Sequence, residues 1–157
     1  MNKQITLTVN SEKRTVEAGP TDILLDVLRE KLGITSPKIG CERGDCGACT
    51  ILLDGKSVRS CLILAVEADG HKLTTLEGLS RNGLMPLQES FLKHEAFQCG
   101  FCAPGMVLSA TELLAKHPHP SHEEIKEAIS GNLCRCTGYQ PIIEAIAAVS
   151  KGKGKGI

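Results

Sequence analysis

Gly40-Cys41-Glu42-Arg43-Gly44-Asp45-Cys46-Gly47-Ala48-Cys49-Thr50 is the stretch whose reading decides how this chain folds. Its cysteines follow C-x4-C-x2-C, with Cys61 further along as a fourth. That is the plant-type spacing of a 2Fe-2S cluster loop. Two irons bridged by two sulfides take four thiolates, two on each iron. A short loop can wrap one side of such a group while a distant cysteine arrives from another element. The cluster is negatively charged and needs backbone N–H donors on its sulfurs. Gly40, Gly44 and Gly47 let the loop backbone come close and adopt positive φ. A structural zinc site is the competing reading, but zinc sites usually show two similar C-x2-4-C knuckles. Here only Cys46 and Cys49 resemble one.

The flanking sequence makes the loop part of a mixed α/β half. Gln4 to Asn10 alternates, with Ile5, Leu7 and Val9 on one face, which predicts a strand. Asn10 to Lys13 reads as a turn, and Arg14 to Glu17 as the returning strand. Thr21 after Pro20 reads as an N-cap for a helix over 22–32, with Leu24, Leu28 and Leu32 in one stripe. After the loop, Thr50 to Leu53 is apolar and β-prone. Asp54-Gly55 is a hairpin signal, with Lys56 to Ser60 returning. His71 to Leu76 is expected to be the last strand. In free plant-type ferredoxins the fourth cysteine lies much further along than Cys61 does here, so the loop is a variant.

Beyond Glu77 the pattern changes. Gly78, Ser80, Asn82 and Gly83 cluster as a linker, and helical periodicity follows. Expected helices cover 86–97, a segment starting at Pro104, a segment capped by Ser121 and Glu124, and a final one from Pro141 to about Val149. His117-Pro118-His119-Pro120 separates the second from the third. No internal repeat is evident, although each half carries four of the eight cysteines. The second set is Cys99, Cys102, Cys134 and Cys136. The residues between its two pairs can supply two helices, so the pairs could meet at helix ends. Taken alone this set leaves zinc open. A thioredoxin-type pair at Cys99 and Cys102 lacks a βαβ setting and leaves Cys134 and Cys136 unexplained.

The bulk composition excludes several classes. The chain has 157 residues, 41% hydrophobic and 23% charged, with no Trp, one Tyr and three Phe. That suits one or two small domains with Leu, Ile, Val and Ala cores, which gain from a metal staple. A net charge of zero argues against a nucleic-acid surface. The N-terminus has no continuous apolar stretch, and no run reaches membrane-spanning length. The expected setting is therefore a reducing cytoplasm, where eight cysteines point to metal rather than disulfides. Residues 151–157 read as a flexible basic tail.

Three stretches together carry a family resemblance: 40–50, Gln98-Cys99-Gly100-Phe101-Cys102-Ala103-Pro104-Gly105-Met106 and Gly131-Asn132-Leu133-Cys134-Arg135-Cys136-Thr137-Gly138-Tyr139. They closely resemble the small iron–sulfur subunit of the molybdenum hydroxylases, the group of xanthine dehydrogenase, aldehyde oxidoreductase and nicotinate dehydrogenase. The resemblance covers about residues 3 to 150. It implies an α+β chain: an N-terminal β-grasp, plant-type ferredoxin-like domain over 1–77, a linker over 78–84 and a C-terminal four-helix bundle over 85–150. It implies two 2Fe-2S clusters. Cys41, Cys46, Cys49 and Cys61 would hold the one nearer a flavin, and Cys99, Cys102, Cys134 and Cys136 the one nearer molybdenum. Gln98 and Cys136 match positions that lie against the molybdopterin. Molybdopterin and FAD are expected on partners, a large and a medium subunit. The chain would then relay single electrons and have no catalytic site of its own. The parent enzyme is expected to hydroxylate an N-heteroaromatic substrate such as nicotinate or a purine. A free ferredoxin-like shuttle and a zinc-stapled interaction module are the alternatives.

Some residues admit two roles. Arg135 could balance cluster charge or form a surface ion pair. Tyr139 could cap the cluster or pack in the core, and Phe101 could merely shield the site. His94, His117, His119 and His122 read as solvated rather than as ligands.

Overall fold

Ile5, Leu7 and Val9 fill one face of the first strand, β1 (Lys3–Val9), and their alternation with half-exposed threonines is the period-2 pattern of a sheet covered on one side. In this computed structural model, which describes residues 1–151, β1 pairs antiparallel with β2 (Glu12–Ala18). The turn between them is shorter than the sequence suggests. Only Asn10 and Ser11 form it, at φ 51° and 69°. Two residues of positive φ match the right-handed twist of the flanking strands, so pairing starts at once at Glu12.

β3 (Thr50–Leu53), β4 (Lys56–Arg59) and β5 (Lys72–Thr74) complete a five-stranded sheet of order β2-β1-β5-β3-β4. β1 and β5 run parallel; the other neighbours are antiparallel. Asp54 and Gly55 form the predicted tight turn, both with positive φ. The expected last strand is shorter, because Leu76 already begins the helix α2 (Leu76–Leu79). The helix against the sheet also differs from expectation. It begins at α1 (Leu24–Asp26) and continues as a π-turn over Val27–Lys31. Its N-cap is Ile23, not Thr21, and Ile23 pairs with Leu64 across a β-bridge. The Asp22 carboxylate accepts from Gly19 N–H at 3.1 Å instead of capping a helix over 22–32. Leu24, Val27 and Leu28 still close the core over Ile5, Leu7, Ile51 and Leu73.

The second half is helical. α3 (Pro86–Lys93), α4 (Ala103–Lys116), α5 (His122–Ile129) and α6 (Gln140–Lys151) share one apolar core that includes Phe91, Met106, Ile125, Ile142 and Ile146. α3 stops at Lys93 rather than reaching Phe97, since Glu95 turns to φ 48°. The Ser121–Glu124 capping box is formed. The proposed tail over 152–157 lies outside the described residues. Among the described residues no helix is long and apolar enough to cross a membrane.

One polar cluster holds the chain where it leaves the sheet, and a second joins the halves. At the linker, the Glu77 carboxylate accepts from Ser36 N–H at 2.9 Å, from the Ser36 hydroxyl and from Thr75 Oγ1 at 2.6 Å. Deeper in, α4 packs on β3 and β4. Its Glu112 accepts from Ser57 N–H at 2.7 Å.

Candidate metal centres

The β3–β4 hairpin explains the position of the fourth cysteine of the first set. Thr50 pairs with Arg59, so Cys49 at one strand's start faces Cys61 just past the other's end. Cys61 sits in a 3-10 turn over Ser60–Leu62, and Ser60 Oγ donates to Cys49 O at 2.7 Å. The two sulfurs lie 3.3 Å apart, both buried. Cys41 and Cys46 form a second pair in the loop: the Cys46 N–H points at Cys41 Sγ at 3.4 Å, and Ala48 N–H at Cys46 Sγ at 3.5 Å.

The loop glycines have separate reasons. A Cβ on Gly40 would come 2.8 Å from Cys46 Sγ. Gly44 has φ +88° and lies under Leu62. Gly47, at φ +72°, would place a Cβ 2.3 Å from Gly131 O in the other half. Electrostatics differ along the loop. Backbone N–H groups, first of Arg43 and then of Cys46, bring the Cys41 thiol down to about 6. Burial, then the neighbouring Cys49, pushes Cys61 up to about 11. A thiol raised by burial ionises readily only when a cation takes up its charge.

The second set meets at the ends of α4 and α6. Cys102 is the N-cap of α4, and Cys134 and Cys136 lie in the α5–α6 connection. The helix N-terminus favours negative charge there. Cys136 and Cys99 have sulfurs 3.6 Å apart and are exposed. Cys102 and Cys134 form the inner pair. Burial, then Cys134, pushes Cys102 up to about 12. Burial also acts on Cys134, but the Thr137 hydroxyl and the backbone N–H groups of Thr137 and Cys136 outweigh it and lower that thiol. Gln98 Nε2 donates to Cys136 O at 3.2 Å, so Gln98 is tied to the outer pair.

The two sets are not independent. Leu133 N–H, next to Cys134, donates to Cys46 O at 2.9 Å. Asn132, 1% exposed, donates to Gly47 O at 3.0 Å and Thr50 Oγ1 at 3.1 Å, and accepts from Ser109 Oγ at 2.8 Å. Arg59 donates to Thr50 Oγ1 at 2.9 Å and to Gly131 O at 2.6 Å. Gly105 passes so close that a Cβ there would meet Gly47 O at 2.5 Å. The sequence reading gives neither Asn132 nor Arg59 a role of its own, since nothing local shows their bonds to residues far away in the chain.

The thiols of each set gather as two close pairs, an arrangement that suits a binuclear cluster with two thiolates on each iron. Tyr139 packs its ring on the helical core, and its hydroxyl accepts from Cys134 N–H at 3.0 Å. Arg135 is exposed, and Phe101 is 47% exposed beside the centre.

Comparison with known proteins decides the family. Residues 7–82 match the model of a 2Fe-2S iron–sulfur cluster binding domain, and residues 75–147 that of a second 2Fe-2S binding domain. The chain is 54% identical over 143 residues to the nicotine 6-hydroxylase small subunit of Paenarthrobacter nicotinovorans, covering 91% of this chain and 87% of that one. It is 50% identical to the nicotinate dehydrogenase small FeS subunit of Eubacterium barkeri, covering 93% and 94%. The chain belongs to the small iron–sulfur subunits of the molybdenum hydroxylases. This iron–sulfur subunit also superimposes on a chain of quinoline 2-oxidoreductase from Pseudomonas putida 86 with a TM-score of 0.92, at 51% identity over 95% of this chain and 93% of that one. Two 2Fe-2S clusters and a role inside an oxidoreductase follow from membership.

Proposed function

We propose that this subunit relays single electrons from a molybdopterin centre on a large partner subunit, through its two clusters, to FAD on a medium one. Cys41 and Cys46 would hold one iron of the ferredoxin-like half and Cys49 and Cys61 the other. In the helical half, read as a four-helix bundle over 85–150, Cys99 pairs with Cys136 and Cys102 with Cys134. The clusters supply one-electron acceptance and release when bound. The protein supplies position, shielding and N–H donors. The observation that carries this reading is the arrangement of eight thiols as four pairs, with the Cys46–Leu133 hydrogen bond joining the sets. Gln98 and the Cys99–Cys136 pair are exposed and hydrogen-bonded to each other, which supports a contact there with a pterin on the large subunit.

The domain division follows the same reading: 1–77, a linker over 78–84, then the bundle. Support for an N-heteroaromatic substrate comes from relatives whose names specify nicotine, nicotinate and quinoline. The reducing cytoplasm remains the expected location, since it keeps eight thiols available for iron. Metal analysis tests the proposal. The anaerobically purified chain should hold about four irons and matching acid-labile sulfide, with zinc near zero. Two distinct paramagnetic signals should appear on full reduction. A colourless, zinc-loaded protein would refute it.

A further inference from the structure

We propose that the Thr137 hydroxyl tunes the cluster of the helical half, donating a hydrogen bond to the Cys134 sulfur and raising that cluster's reduction potential relative to its partner's. This rests on the ligand reading above. Thr137 Oγ1 lies 3.1 Å from Cys134 Sγ. An iron-bound thiolate carries no proton, so within this contact the hydroxyl is the donor. The oxygen already accepts from the other side, because Tyr139 N–H donates to Thr137 Oγ1 at 3.1 Å. The proton of the hydroxyl is thereby left for the sulfur.

The hydroxyl is held in place by a closed turn. Gly138 and Tyr139 both take positive φ, 66° and 69°, which folds the chain back on itself. The Tyr139 hydroxyl then receives Cys134 N–H at 3.0 Å, while its ring is anchored in the helical core. Residues 134–139 are thus closed on themselves by three hydrogen bonds, one of them to the sulfur.

The two halves differ in this respect. In the ferredoxin-like half the sulfurs of Cys41 and Cys46 receive backbone N–H groups. Among the described residues Thr137 is the one side-chain hydroxyl within hydrogen-bond reach of any of the eight sulfurs. Reduction adds a negative charge that spreads onto the sulfurs, so a donor stabilises the reduced form more than the oxidised one and raises the potential. Backbone donors are common to both loops, whereas this one belongs to a side chain and acts on one cluster alone.

The test is a redox titration, followed by electron paramagnetic resonance, on the full chain carrying both clusters. Thr137→Val should lower the midpoint of one signal. At a fixed potential the reduced-to-oxidised ratio of that cluster should fall about tenfold, which is about 59 mV for one electron. The other signal should keep its midpoint, and Thr137→Ser should restore the native value. Unchanged midpoints in the Val variant, or equal shifts of both, would overturn the proposal. A second reading compares the native protein and the Val variant after exchange into deuterium oxide. The helical-half signal of the native protein should carry a deuteron coupling that the Thr137→Val variant loses, and an undiminished coupling in the variant would also overturn the proposal. Native protein without iron and sulfide would instead sink the ligand reading itself.

Discussion

Asn132 shows how much one buried amide can hold. Its side chain spends its two donors on Gly47 O and Thr50 Oγ1 and its acceptor on Ser109, in a place water does not reach. Removing it strands groups in both halves, and a buried polar group without a partner costs about 1–3 kcal/mol. Asn132→Ala should therefore destabilise the cluster-loaded chain by about 3 kcal/mol in denaturant unfolding. Asn132→Asp should be no better. It keeps the shape but turns a carboxylate oxygen toward the Gly47 carbonyl. An Asp variant of native stability would show that shape, not the donor, matters there.

Among the elements, the connection from β5 into α2 is the one that a carboxylate controls. Glu77, the last residue before the linker, gathers three donors from two segments with its side chain. Burial pushes its pKa up, but the Ser36 and Thr75 donors outweigh that and hold it below the usual glutamate value. The unfolded chain therefore takes up a proton at higher pH than the folded one does. The stabilisation from this carboxylate is complete above about pH 5 and is lost as pH falls through the folded value. Glu77→Gln should cost about 2 kcal/mol near neutrality, and the gap between variant and native protein should close as pH falls below the folded value. A gap independent of pH would show that the charge is not what the serine and threonine recognise. The strands, hairpin turns and capping box were legible because each is encoded within a few residues. The π-wound helix start was not. Its winding is set by the Ile23–Leu64 bridge and the sheet beneath, neither of which leaves a local pattern.

At the scale of the molecule, the distance between the two centres depends on how closely α4 approaches the first cysteine loop. Gly105 and Gly47 permit that approach. Gly105→Ala should push them apart, leaving iron content unchanged while weakening the magnetic interaction between the two reduced clusters. Retained splitting in the paramagnetic spectrum would show that the halves are held by other contacts. The sequence by itself determined the cysteine spacing, the mixed first half, the helical second half and the family, because ligand spacing and hydrophobic period are local and survive in one dimension. The tertiary structure alone decided which thiols pair and that Leu133 bonds to Cys46. It also decided the contacts of Asn132, Arg59 and Thr137. Those contacts join surfaces that become neighbours only after both cores have closed, so no stretch of chain carries their signature.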